Sequence, residues 1–398
     1  MGLRVLFAGD GWSLEAGGGP LFFEKEEGRL LAETPEQLAG VLSALDDVAA
    51  SGDGDRIAIG FISYEAGVSL EGSKTLFRRP EGTPLAAFGL FRLRDAARRA
   101  PAPPDARFAF EEPAAPTPSL SLREWSAGVE TIRSGIARGD VYQVNLTRRA
   151  RLRATPDPFA LAVALFRGSP VPYAVTLAGE GWAVVSNSPE LFLDVDLRRG
   201  RAASAPIKGT IARGRTDEDD EMARARLVAS AKDAAEHVMI VDLVRNDLGR
   251  VAVPGGVRVE RLGALRSFRH LHHLESLVAA RLATGVRLSD VLGATLPGGS
   301  ITGAPKRAAL RFIRRLEPCP RGAYTGAAGF VRGNGRAVLN VAIRTAIVQG
   351  GFVDYHAGGG IVWDSDPEEE WAEVETKSRE FQALVRSVPA GPGGEWDR

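Results

Sequence analysis

The chain has 398 residues, 44% apolar and 25% charged, which is ordinary globular usage and excludes a wholly disordered protein. Fifty Lys and Arg balance fifty Asp and Glu, so no global field draws it to nucleic acid or to an anionic membrane, and neither is an expected partner. The lone cysteine, Cys319, the short apolar start and the lack of any run of about 18 apolar residues predict a cytoplasmic chain without a disulfide, a Cys-based zinc site or a membrane span.

In chain order, Ile57 to Tyr64 (IAIGFISY) is read as a buried strand. Residues 100–118 carry Pro101, Pro103, Pro104, Pro113, Pro116 and Pro118, cannot sustain a helix or central strand, and are read as a connector between residues 1–115 and 116–390. Trp125, Val129, Ile132 and Ile136 fall on one helical stripe, opened by a Ser121–Glu124 capping box and closed by Gly139. Val141 to Leu152, Ala174 to Leu177 and Trp182 to Ser186 are predicted strands. From Asp217 one long helical stretch is expected through Val238, with Asp233 and Glu236 on a single face. Pro297 to Pro305 is a glycine-rich loop entering a helix; strands follow near Val338 to Val348, then a loop at Gly358-Gly359-Gly360. A last helix from about Pro367 carries Glu370 and Glu373, with Lys377 one turn beyond Glu373. The elements lack a βαβ rhythm, which predicts an α+β fold.

The glycine-rich loop is not a nucleotide loop. Gly298 and Gly303 have the spacing, but Ala304 and Pro305 follow where Lys and Ser or Thr are needed. It can still aim backbone N–H groups and hydroxyls at an anion. The two acidic pairs, should they converge, place four carboxylates together, and their repulsion demands a cation or raised pKa values. Oxygen ligands favour magnesium. Only six of the fifty basic residues are Lys, so each invites the question of why a compact, titratable amine stands there.

Eight motifs then carry a resemblance. GDVYQVNLT (139–147), SNSPELF (186–192), PIKGT (206–210), AEHVMIVDLVRNDLGR (235–250), GGSITGAPK (298–306), RGAYTGAAG (321–329), AIRT (342–345) and AGGGIVWDSDPEEEW (357–371) resemble, in order and spacing, the chorismate-utilising enzymes. The first 115 residues resemble them only faintly, through GFISYEAG (60–67). The resemblance implies a large antiparallel-sheet α+β fold of the anthranilate and aminodeoxychorismate synthase type. It has two intertwined subdomains, surrounding helices and the site between them. Residues 1–115 would then add strands to that fold, and 116–390 would be the chorismate-binding catalytic region.

The same resemblance places Mg2+ on Glu236 and Glu373, with Asp233 and Glu370 nearby. It places chorismate contacts on Gly209, Thr210, Ser300, Tyr324, Arg344, Gly358, Gly359, Gly360 and Lys377. A fork such as Arg344 suits a carboxylate. Lys208 stands where the anthranilate synthases carry Ala and the aminodeoxychorismate synthases carry Lys; a neutral amine there would attack the ring. Glu190 would be its proton-transfer partner, and His273 would assist. Gln143 stands where water-adding branch members carry a Lys base, and a neutral amide cannot serve as that base. Ammonia is therefore the expected nucleophile. Cys319, between two prolines, does not suit a glutaminase elbow, so a separate glutamine amidotransferase subunit is implied as the ammonia source.

Overall fold

A computed structural model describes residues 2–14, 19–72, 75–99, 116–267 and 271–386. Strands β1 (Arg4–Ala8) and β2 (Leu21–Phe23) pair; β3 (Gly28–Ala32), helix α1 (Pro35–Ala50), β4 (Arg56–Ile62), α2 (Tyr64–Leu70) and β5 (Ala86–Arg92) follow. The prolines expected to form a connector fall mainly on residues 100–115, which lie outside the described residues; Thr117–Pro118 (β6) is a short edge strand. Next come α3 (Leu122–Ala137), β7 (Gln143–Arg153), α4 (Pro158–Gly168), β8 (Tyr173–Ala178), β9 (Trp182–Ser188), β10 (Leu191–Asp196), β11 (Arg201–Ala205) and β12 (Ile207–Ala212). Helices α5 (Asp217–Ala229) and α6 (Ala231–Gly249) lead to β13 (Ala252–Ser267) and β14 (Leu271–Leu282). The last third contains α7 (Leu288–Thr295), β15 (Gly303–Ala304), α8 (Lys306–Leu316), β16 (Ala327–Arg332), β17 (Arg336–Val341), β18 (Thr345–Gln349), β19 (Phe352–Ile361) and α9 (Pro367–Arg386).

Two antiparallel sheets result. One runs β15-β7-β19-β18-β9-β8-β1-β2, with β6 also on β7; the other runs β12-β14-β11-β10-β17-β16-β4-β5-β3, with β13 also on β14. Each sheet draws on both ends of the chain, so the fold is α+β with interwoven halves. Between them pack Phe7, Trp12, Phe23, Phe61, Phe91, Trp182 and Phe330, all buried. A larger apolar core lies under the helices and includes Trp125, Val129 and Ile132 on the predicted stripe of α3. The Ser121–Glu124 capping box forms as expected, with Ser121 N donating to Glu124 Oε2 at 2.8 Å. Among the described residues no helix is long and apolar enough to cross a membrane.

The strands expected near Val338 to Val348 are β17 and β18, separated by Ala342–Arg344, where Arg344 adopts a left-handed φ of 48°. Two expectations change. The single helix from Asp217 is two helices, because Ser230 takes an extended conformation (ψ 102°) and its carbonyl then accepts from Ala234 N. Gly358-Gly359-Gly360 is not a loop but the end of β19, paired with Thr147, Leu146 and Asn145 of β7.

Candidate active site

Lys208 stands on β12 at the edge of the second sheet. The β12–β14 register shifts between Lys208 and Thr210, at Gly209, whose φ of +72° only glycine adopts without strain. Lys208 Nζ lies 2.5 Å from Glu236 Oε2 on α6. The lysine side chain is 25% exposed and the glutamate 10%, so the pair is largely withdrawn from water.

Glu190, in the turn from β9 to β10, is buried. Its amide donates to Ser188 Oγ, and its carbonyl accepts from Val341 N, so the backbone is held from both sides. Ser300 of the glycine loop donates its hydroxyl to Glu190 Oε1 at 3.1 Å. Burial pushes the Glu190 carboxyl up to about 8, against the opposing Ser300 hydrogen bond and Lys208 charge. At neutral pH it is therefore a protonated acid.

His273 lies opposite Thr210 on β14 and is 2% exposed. Burial, with the Arg344 charge, pulls it down to about 4, while a hydrogen bond with the Gly209 backbone opposes the shift. Its neighbour His272 is fixed between Ser267 Oγ at 2.8 Å and Asp220 Oδ1 at 2.9 Å, a structural role. His270 lies outside the described residues. The histidine at the lysine's bulge is thus His273.

The second group of expected residues lies along β19 and α9. Lys377 Nζ donates to the Gly358 carbonyl at 3.1 Å and pairs with Glu373 at 2.6 Å. Glu370 accepts from Ser365 Oγ at 2.8 Å, and its other oxygen lies over Gly359, where a Cβ would approach to 2.9 Å. Gln143 covers Gly360, whose Cβ would meet the Gln143 amide at 2.4 Å. The glycines of β19 therefore let two polar side chains lie across the strand. Gln143 is 1% exposed, and its Oε1 is buried with no hydrogen-bond partner. Tyr324 belongs to the layer beneath, stacked on His356 with ring centroids 5.1 Å apart.

The expected convergence of four carboxylates is not what the described residues show. No three Asp, Glu, His or Cys among them could share one ion, and the Asp233 side chain lies outside the described residues. The repulsion is instead met by lysines: Glu236 faces Lys208, and Glu373 faces Lys377. Glu236, Glu370 and Glu373 are nonetheless hard oxygen donors of the kind magnesium takes, and two of the three already face cations.

Three features escaped the motif reading. Arg321 is 1% exposed and donates to both Glu317 oxygens, to the carbonyls of Ile301 and Asn145, and to Thr325 Oγ1. It thereby ties the glycine loop to β7 beneath the site. His237, beside Glu236, is buried with Nε2 2.5 Å from Ser276 Oγ. Asp247 holds Lys306 by both oxygens at 3.0 and 2.9 Å. Each lies within a quoted motif, but only long-range contacts show what it does. A cavity of about 850 Å³ lies elsewhere, between β1, α4, β8 and the β13–β14 hairpin, and none of the expected site residues lines it.

A family model described as chorismate binding enzyme matches residues 12–383, taking in most of the amino-terminal residues that the motifs touch only faintly. Anthranilate synthase component 1 of Streptomyces coelicolor is 41% identical over 313 residues, 76% of this chain and 60% of that protein. Aminodeoxychorismate synthase component 1 of Bacillus subtilis is 39% identical over 262 residues, 66% of this chain and 55% of that protein. The matched stretch thus spans no more than 60% of either relative. Among solved structures, anthranilate synthase component I of Streptococcus pneumoniae superposes with a TM-score of 0.73 at 26% identity, covering 95% of this chain and 89% of that one. The menaquinone-specific isochorismate synthase of Escherichia coli shares the fold, with a TM-score of 0.72 at 20% identity over 96% of this chain and 88% of that one.

Proposed function

The chain belongs to the chorismate-binding enzymes, and from that premise we propose that it replaces the C4 hydroxyl of chorismate with ammonia, forming 4-amino-4-deoxychorismate on the route to 4-aminobenzoate and folate. One observation carries the reading: an amine, Lys208, stands at the bulge of β12 within 2.5 Å of Glu236 and in the field of the buried acid Glu190. Lys208 first gives up the ammonium proton that its contact with Glu236 favours. The neutral amine then attacks ring C2, moves both ring double bonds one place and expels the C4 hydroxyl, which leaves as water with the proton of Glu190. Ammonia then forms a bond to C4, the double bonds return, and the Lys208 nitrogen leaves C2. The net exchange is ammonia in and water out.

His273 faces Thr210 next to the lysine's bulge and lies within the field of Arg344, whose guanidinium suits a carboxylate of the substrate. Magnesium, which needs only one or two protein carboxylates, would be held by Glu236 and Glu373, with Glu370 as a further oxygen donor; it would supply positive charge for the ring carboxylate and compete with Lys208 for Glu236.

A separate glutamine amidotransferase subunit supplies the ammonia. Two relatives named as component 1 of a synthase support a divided enzyme. Burial raises the Cys319 thiol, the reverse of what a glutaminase nucleophile needs. A cytoplasmic setting follows from the same reading. The rival reaction is anthranilate formation, favoured by the name of the Streptomyces coelicolor relative. Incubation with chorismate, Mg2+ and ammonium salt separates the two. The proposed reaction gives 4-amino-4-deoxychorismate without pyruvate, whereas release of pyruvate with anthranilate selects the rival.

A further inference from the structure

We propose that a water-sized cavity behind Glu190 joins its carboxyl to Asp247, and that Glu190 is reprotonated along this path while substrate covers its other side. On the substrate side Glu190 faces the Lys208 charge and is closed to solvent there once a ring is bound. On its far side lies a cavity with about 20 Å³ of room for the centre of a water molecule, enough for one. Its polar walls are Glu190, Ser300, Ser204, Thr295 and Asp247, and the remainder is largely apolar, including Phe192 and Leu248. A single water there has the two to four polar partners it needs.

Asp247 closes the far end. It faces Lys306 from α8 at 2.9 Å, has Arg250 just past the end of its own helix, and stands near Glu71 at the end of α2, which approaches Lys306 to 3.8 Å. Burial raises Asp247 to about 6, against the Lys306 charge, so the two carboxyls straddle neutrality and either can hold the proton. After Glu190 gives its proton to the leaving hydroxyl, Asp247 takes up a proton from solvent and hands one to the water, which passes one to Glu190. Asp247 is left as the carboxylate that holds Lys306 at rest. Asp247 touches no substrate and acts through Glu190.

The inference rests on Glu190 acting as the acid, but not on which product forms, so the test follows chorismate consumption and its solvent deuterium isotope effect. Ser204→Val fills the cavity and leaves Asp247, Lys306 and Glu190 in place. Its kcat should fall, by less than the ~100-fold or more that loss of the acid itself costs. KM should hold, and the isotope effect should rise. Asp247→Asn should behave alike, and Asp247→Glu should restore the wild-type isotope effect. Lys306→Met, which breaks the ion pair but keeps the carboxyl and the cavity, should lower thermal stability while retaining the wild-type isotope effect. Equal losses of kcat in Asp247→Asn and Lys306→Met, with the isotope effect unchanged in every variant, would make the pair a mere staple between α6 and α8 and overturn the relay.

Discussion

Lys208 of β12 and Glu236 of α6 meet at 2.5 Å across the edge of the second sheet, so the proposed nucleophile and a proposed metal ligand occupy one ion pair. The lysine is a quarter exposed and fills no core position, so its loss removes charge rather than packing. Lys208→Ala should still fold, but with a lowered melting temperature, because it leaves the largely buried Glu236 carboxylate without its partner. Formation of 4-amino-4-deoxychorismate should fall by roughly 10³-fold or more, as loss of a nucleophile does, and any residual amination should shift toward the ortho product. Product analysis with free ammonium measures both. Unchanged amination at C4 would remove Lys208 from the mechanism.

The carboxylates predict the metal dependence. Glu236→Gln and Glu373→Gln should each raise the Mg2+ concentration needed for half-maximal turnover by about tenfold or more, with chorismate KM rising alongside. Because Glu373 is 59% exposed, its ion pair with Lys377 adds little stability, and the variant should fold normally. Titration of activity with Mg2+ is the measurement. If Glu373→Gln shows wild-type dependence, the cation is not held on α9.

Much of this arrangement was legible because it is local. The Ser121–Glu124 box and the stripe through Trp125 need only neighbouring residues, whereas Lys208 and Glu190 stood out only through the family resemblance of the motifs that carry them. The glycines at 358–360 read as a loop because glycine has no strand preference, yet pairing with β7 and the overlying Gln143 and Glu370 side chains make them strand. Ser230 breaks the α5–α6 helix with neither Gly nor Pro to mark it. Arg321 was illegible for a different reason. Its partners at Asn145 and Ile301 lie 176 and 20 residues away, and no spacing rule reaches that far.

Arg321 yields a third prediction. All its donor directions are used within a buried network that also seats Glu317 on the Thr147 amide. Arg321→Met leaves the Glu317 carboxylate buried and unpaired, which should cost about 3–5 kcal/mol in denaturant unfolding. Arg321→Lys, with a point charge in place of a fork, should recover only part of that. Both should raise chorismate KM, since the carbonyls of Ile301 and Asn145 lose the group that positions the loop bearing Ser300.

Glu190 gives the pH dependence. Its folded value of about 8 lies above the ordinary 4.5, so the folded protein binds a proton that the unfolded chain has released between those limits. That contribution to stability is complete below about 4.5 and is lost as the pH rises through about 8. The slope within the window is about 1.4 kcal/mol per pH unit for a single such group. Glu190→Gln, which cannot ionise, should flatten this component, and the variant should gain stability relative to the wild type as the medium becomes alkaline. Activity should follow the same group, with turnover falling above about pH 8 as the acid is lost. His273, held down to about 4, stays neutral in the folded protein and adds no step to the kcat profile. Protonation of the unfolded chain near 6.5 makes its own contribution to stability rise with pH between about 4 and 6.5, opposite in sign to that of Glu190. Unfolding measured at several pH values, beside a kcat profile of the wild type, tests both parts. An alkaline limb that persists unchanged in whatever activity Glu190→Gln retains would assign the titration to another residue.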